Sequence, residues 1–181
     1  MPRRSAGIAL YRRGPSGLEV LLVHPGGPFW ARRDEGAWSI PKGEYHDGEE
    51  EGRAAALREF AEETGARLKG RLEPLGSFRQ PSGKIVSAWA LEGQFDPARL
   101  RSNTFAMEWP PRSGVVRDFP EVDRAAWFPL AEARRRITKG QQPILDALAR
   151  LAGPAGEAPP DGGGAAAPRQ PSPARHRRPG R

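Results

Sequence analysis

The sequence predicts an α/β fold in which short strands and amphipathic helices share one core. Three observations carry that reading. Two apolar stretches, residues 6–11 and 18–23, flank the turn sequence Arg13-Gly14-Pro15-Ser16-Gly17, which is a hairpin signal. Residues 53–64 include the strong helix formers Ala54, Ala55, Ala56, Leu57 and Arg58, and Gly65 follows where helices often end on a left-handed residue. Near the other end, Ile144, Leu145, Leu148 and Leu151 recur at helical spacing within residues 143–151.

The remaining elements follow in chain order. Pro25-Gly26-Gly27-Pro28 breaks the second strand, and a loop with Phe29, Trp30, Arg32, Arg33 and Trp38 comes next. Beyond the first helix, residues 72–80 and 85–91 read as a second strand pair, joined by a turn at Pro81-Ser82-Gly83. Residues 103–119, rich in Pro and Gly, read as a long loop. Residues 125–128 read as a short strand and 130–137 as a helix. These elements make one domain over residues 1–152. Residues 153–181 contain no Leu, Ile, Val, Phe, Trp or Tyr and end in the basic run RHRRPGR. Such a composition cannot form a packed core, and a disordered Gly/Pro-rich basic tail is the expectation there.

Composition narrows the partners. Lys and Arg number 29 against 22 Asp and Glu, a formal net charge of +7, which favours anionic ligands such as nucleotides or nucleic acid. There is no cysteine, so neither a disulfide nor a thiolate metal site is available, and this fits a reducing compartment. No apolar run reaches the ~20 residues of a membrane helix. The apolar run at 6–11 is too short for a signal peptide and is followed by Arg12 and Arg13. A soluble cytoplasmic protein without a membrane partner is expected.

Against this basic background, residues 43–66, GEYHDGEEEGRAAALREFAEETGA, hold eight acids and two bases. On the helix, Leu57, Phe60 and Ala61 fall at i, i+3 and i+4 and form a face to pack on a sheet. Glu59, Glu62 and Glu63 share another face at the same spacing. Like charges on one face repel, and these lie toward the negative end of the helix dipole. A hard divalent cation, Mg²⁺ or Mn²⁺, removes that conflict by taking carboxylate oxygens. On the glutamates alone, an ordinary solvated acidic face is an equal reading.

The wider pattern is Gly43-x6-Glu50-x7-Arg58-Glu59-Phe60-x-Glu62-Glu63-x-Gly65-Ala66. It resembles the signature of the Nudix hydrolases, the MutT-like pyrophosphohydrolases, G-x5-E-x7-R-E-U-x-E-E-x-G-U with U a bulky apolar residue. The second half matches throughout, with the small Ala66 at its last position. The first half has one extra residue after Gly43. Either Glu50 is the family's first acid after a longer loop, or Glu49 keeps the spacing and the insertion follows it. Loops absorb insertions more readily than helices, which favours Glu50.

The resemblance implies an α/β/α sandwich with a mixed sheet between helices. It also implies hydrolysis, with Mg²⁺ or Mn²⁺ as cofactor, of a phosphoanhydride bond in a nucleoside diphosphate linked to another group. It assigns Glu62 and Glu63 as metal ligands and Glu59 as a ligand or an acid that orients one, with the backbone of Lys42 or Gly43 completing the set. Glu59 and Glu63 are thereby catalytic candidates. Arg58, Glu50 and Gly65 become structural, Arg58 bracing Glu50. Many family members use a further acid before the last sheet strand, as metal ligand or general base; Glu121 is best placed for that catalytic role, with Asp118, Asp123 and Glu108 as rivals. Arg32, Arg33, Lys42 and Lys84 are candidate phosphate contacts. Trp30, Phe29 and Trp109 are candidates to stack on a base.

Substrate class lies outside the motif. The lack of Cys argues against the isoprenoid isomerase branch and the zinc-ribbon NADH pyrophosphatases. Pro81 resembles a marker of ADP-ribose pyrophosphatases but also fits an ordinary turn. No Tyr stands where dinucleoside-polyphosphate hydrolases often carry one, which weakens that option. A (d)NTP or related nucleotide is the default expectation, with ADP-ribose and dinucleoside polyphosphates as further options. The alternative is a non-catalytic nucleotide sensor, or a protein that binds nucleic acid weakly through the basic tail.

Overall fold

The computed structural model describes residues 2–153, so the tail expected to be disordered lies, apart from Gly153, outside the described residues. Strand β1 (Arg4–Gly14) and strand β2 (Gly17–Pro25) form the antiparallel hairpin expected from the turn residues between them. The second expected pair is also present, β4 (Glu73–Arg79) against β5 (Ile85–Glu92), both after a short strand β3 (Lys42–Tyr45). Strand β8 (Val122–Pro129) is longer than the four residues the apolar pattern marks.

These strands make a mixed sheet in the order β4-β5-β1-β2-β8. Strand β1 runs parallel to β5, and every other pairing is antiparallel. One edge of β1 is shared, residues 4–7 pairing with β3 and residues 11–14 with β2. Alternation along β1 divides the core. Ala6, Ile8 and Leu10 pack with helix α1 (Gly52–Thr64), whereas Ala9 and Tyr11 pack toward helices α2 (Leu130–Arg136) and α3 (Gln142–Ala152). In α3 the expected stripe is buried at Ile144, Leu145 and Leu148. The result is the α/β/α sandwich, held together on both faces of the sheet.

Two local expectations need correction, and one strand went unread. Residues 103–119 are not a loop throughout: β6 (Thr104–Glu108) and β7 (Val116–Pro120) pair as a separate antiparallel ribbon. Phe105 and Met107 alternate in β6 and are half-buried, but β7 carries no such pattern; backbone pairing and the Phe105–Phe119 contact hold the ribbon. Strand β3, Lys-Gly-Glu-Tyr, was equally invisible, because its pairing with β1 replaces an apolar face. In α1 the sheet-facing stripe is Ala55, Ala56, Phe60 and Thr64, while Leu57 and Ala61 are half-buried. The small alanines let the helix approach β1 closely, and that rotation turns Glu59 inward as well, to 8% exposure.

The helix ends as its sequence predicts. Gly65 has φ 81°, and its N–H donates to the Ala61 carbonyl. A Cβ there would lie 2.9 Å from Arg101 Cβ and from the Arg101 carbonyl oxygen. Gly65→Ala should therefore cost about 1–2 kcal/mol for the left-handed backbone, before any steric cost. Urea denaturation of the variant checks this.

Candidate active site

Helix α1 sets Glu59 and Glu63 against the start of β3, whereas Glu62 lines a separate hollow with Leu57 and Asn103. Glu63 Oε2 accepts a hydrogen bond from the Lys42 backbone N–H at 3.0 Å. The Glu59 carboxyl lies against Gly43, where an added Cβ would sit only 1.8 Å from Oε2. Gly43 is thus required by close packing of an acid against the backbone. Glu121 is tied into the same region through its main chain. Its N–H donates to the Asn103 carbonyl at 2.8 Å and its carbonyl accepts from the Gly26 N–H at 2.9 Å. Asn103 N–H in turn donates to the Glu62 carbonyl at 2.8 Å.

Arg58 holds the acidic loop and helix together. Its Nη2 and Nε donate to Glu50 at 2.9–3.2 Å, and its Nη1 donates to Glu59 at 2.8 Å and Glu62 at 3.1 Å. Glu50, not Glu49, meets the arginine; the Glu49 N–H closes a turn on the His46 carbonyl. The guanidinium keeps Glu50 below the usual carboxylate range, chiefly by hydrogen bonding, and is itself raised.

The other acids are pushed the opposite way. Burial raises Glu63 to about 8, with Glu59 and Glu121 adding to the effect and Lys42 opposing it. Burial also raises Glu59, against the influence of Arg58 and with Glu62 and Glu121 adding. Glu121, although exposed as a residue, is raised by desolvation of its carboxyl and by Glu62. Lys42 is lowered by burial of its ammonium, which Glu63 partly offsets.

These shifts have a consequence for stability. An unfolded Glu63 ionises near 4.5, whereas the folded one keeps its proton up to about 8. Between those values the folded state binds more protons, so stability falls as pH rises. Lys42, being lowered, acts in the opposite sense below 10.5. Comparison with Glu63→Gln isolates the acid. The stability of the unsubstituted protein, relative to that variant, should decline from pH 4.5 to 8 in metal-free buffer, as read by thermal unfolding. Added Mg²⁺ should restore more of it at pH 8 than at pH 5.

A cleft of about 510 Å³ opens beside the acids. Glu63, Glu121, Lys42, Lys84 and Trp30 all line it, so the structure brings five of the sequence-derived candidates together. Lys84 is also paired with Glu44 at 2.8 Å. Arg32 and Arg33 are not in the lining; the Arg33 guanidinium stacks over the Trp30 ring at 5.4 Å. Phe29 and Trp109 pack edge to face on each other, 5.5 Å between centroids, rather than on the cleft. Of the rival acids, Glu108 accepts from the Gly114 N–H, Asp118 is exposed on β7, and Asp123 is bonded to His24. Glu121 alone among these four lines the cleft. A larger hollow of about 750 Å³, between Gly65 and Arg101, contains none of the candidate acids.

Sequence reading missed the far wall of the cleft, formed by Ser39, Gln80, Thr138, Lys139 and Gln141. Gln80 Nε2 donates to the Gly140 carbonyl at 2.9 Å, joining the β4–β5 turn to the α2–α3 connection. The only signal was the polar run Thr138-Lys139-Gly140-Gln141 between two helices. Pro81 is part of the turn and lines the cleft too.

Carboxylates are the donor chemistry a hard cation takes, and the helix carries three of them. In this structure Arg58 holds Glu59 and Glu62, and among the described residues no three acids converge with ligand spacing.

A mixed-sheet sandwich with an acid-bearing helix beside a lysine-lined cleft is thus the frame of the site. The NUDIX domain matches residues 1–148, and the chain belongs to that family. Solved structures share the fold. A Caenorhabditis elegans Ap4A hydrolase binary complex is 21% identical with TM-score 0.57, covering 82% of this chain and 97% of that one. The NUDIX domain of Shewanella oneidensis NrtR, complexed with ADP ribose, is 20% identical with TM-score 0.57, covering 83% and 89%. The MutT protein from Methanosarcina mazei Go1 is 17% identical with TM-score 0.54, covering 83% and 96%. Among the described residues no helix is long and apolar enough to cross a membrane.

Proposed function

We propose that this chain is a divalent-metal-dependent hydrolase of a phosphoanhydride bond in a nucleoside diphosphate linked to a further group, with a (d)NTP or related nucleotide as the substrate class. The observation that carries this reading is the cleft that joins Glu63 of the acidic helix and Glu121 to three lysines, Lys42, Lys84 and Lys139, and to Trp30. The physical difficulty of the reaction is anionic charge around phosphorus, and a site for it must supply positive charge and a base.

Glu59, Glu62 and Glu63, with the Gly43 backbone, would hold Mg²⁺ or Mn²⁺. The ion would supply charge to offset the phosphate oxygens and would acidify water. Lys42, Lys84 and Lys139 would bind the phosphate chain, and Trp30 would offer a face to the base. Glu121, raised by desolvation of its carboxyl and by Glu62, would be the group that accepts a proton. Arg58 keeps Glu50, Glu59 and Glu62 oriented. Arg32 and Arg33 serve the substrate at most from outside the lining.

A panel of nucleoside triphosphates, ADP-ribose and dinucleoside polyphosphates, assayed with Mg²⁺ and Mn²⁺ and with products identified, tests the proposal. Cleavage of at least one between two phosphates, abolished by chelator, is the expected result. Binding of a nucleotide with no turnover under any metal would instead support a sensor.

A further inference from the structure

We propose that His24 positions the loop carrying Trp30 into the cleft, through the hydrogen bond from its Nε2 to the Arg33 carbonyl. The inference rests on the hydrolase reading for its kinetic part only.

His24 lies at the end of the apolar run Val20-Leu21-Leu22-Val23 and is fully buried. A buried imidazole is costly unless its nitrogens are satisfied. Both are: Nε2 lies 2.6 Å from the Arg33 carbonyl oxygen and Nδ1 lies 2.8 Å from Asp123 Oδ1. A carbonyl only accepts, so Nε2 carries the hydrogen. The ring is also set edge-on against Trp38, 5.3 Å between centroids. One side chain thus links β2, β8 and the loop between β2 and β3.

The loop has two halves with different support. Residues 34–39 have their own anchors on α2 and β2. Gly36 N–H donates to the Arg135 carbonyl, Trp38 N–H to the Arg136 carbonyl, and Ser39 exchanges hydrogen bonds with Val23. Residues 27–33 bond within themselves, Trp30 N–H to the Gly27 carbonyl and Arg33 N–H to the Trp30 carbonyl. Among the described residues, their one hydrogen bond to the rest of the protein comes from His24. This half holds Trp30, which lines the cleft, and Arg33, whose guanidinium stacks on Trp30. Glu121 does not depend on this link. Asn103 and Gly26 hold its main chain, and Ser102 Oγ accepts from the next N–H, that of Val122. Losing the His24–Arg33 bond should therefore loosen substrate binding and spare the chemical step.

Two conservative substitutions separate the two bonds. The amide nitrogen of glutamine falls near the place of Nε2, so His24→Gln keeps the donor to Arg33 and gives up Asp123. That of asparagine falls near Nδ1, so His24→Asn keeps Asp123 and gives up Arg33. Each loses one of the two ring hydrogen bonds; a merely structural role would lower stability in both without a difference in exchange confined to residues 30–33. The expected result is a KM about tenfold higher in His24→Asn, the order expected for one lost hydrogen bond, with kcat within about twofold. His24→Gln should keep a KM near that of the unsubstituted protein. Amide hydrogen exchange at residues 30–33 should be faster in His24→Asn than in His24→Gln, and this reading needs no substrate. Equal exchange and equal KM in the two variants, or a loss confined to kcat, overturns the proposal. If the unsubstituted protein hydrolyses nothing on the panel, the hydrolase reading fails and hydrogen exchange alone decides whether His24 anchors the loop.

Discussion

Replacing Glu63 with glutamine is expected to lower kcat by about two to four orders of magnitude and to leave the fold intact. Glutamine keeps the length of the side chain, and its carbonyl still accepts from the Lys42 N–H that meets Glu63 at 3.0 Å. What it removes is the charge, in the position where burial and two neighbouring acids already hold the carboxyl up near 8. A group so disfavoured as an anion is costly to the empty fold and valuable to a cation. Steady-state kinetics alongside circular dichroism reads both sides. Turnover close to that of the unsubstituted enzyme, in a well-folded variant, would remove Glu63 from the site.

Gly43→Ala should be the most damaging single methyl in the site. The Glu59 carboxyl occupies the space that the new Cβ needs, with Cδ at 2.0 Å and Oε2 at 1.8 Å from it. The acid must swing out, and its hydrogen bond with Arg58 at 2.8 Å goes with it. Overpacking of this kind costs about 1–3 kcal/mol. Displacing a catalytic group by even ~1 Å can cost about a hundredfold in rate. Denaturant unfolding and kcat, measured together, should both fall. Unchanged values in both would show that Glu59 does not need the space beside Gly43. The two variants differ in a useful way: Glu63→Gln tests a charge, and Gly43→Ala tests the cradle for one.

The substitutions also show why the acidic segment reads so clearly. Arg58, Glu59, Glu62 and Glu63 lie within six residues on one helix, and helical periodicity alone puts the three acids on a shared face. Gly65 ends that helix because glycine accepts the left-handed conformation. The β1–β2 and β4–β5 hairpins are equally local, since apolar strands and their turn residues adjoin in sequence. For these elements the chain itself carried the information, and it also indicated the family.

Other features depend on residues distant in sequence. The β6–β7 ribbon buries little side chain; Phe105 and Met107 alternate in β6, but two apolar positions without a matching pattern in β7 do not mark a strand pair. Strand β3 exists because β1 offers it an edge. Whether Glu49 or Glu50 takes the arginine was open in the sequence, and the turn at His46 turns Glu50 toward Arg58. The cleft wall contributed by Ser39, Gln80 and Lys139 comes from three segments with no common motif. The same holds for His24, an apparent polar intrusion in an apolar strand, whose partners lie 9 and 99 residues away. Local periodicity and turn chemistry act over a few residues and can be read along the chain. Steric fit and hydrogen-bond pairing between distant segments arise only once the sheet has brought those segments together.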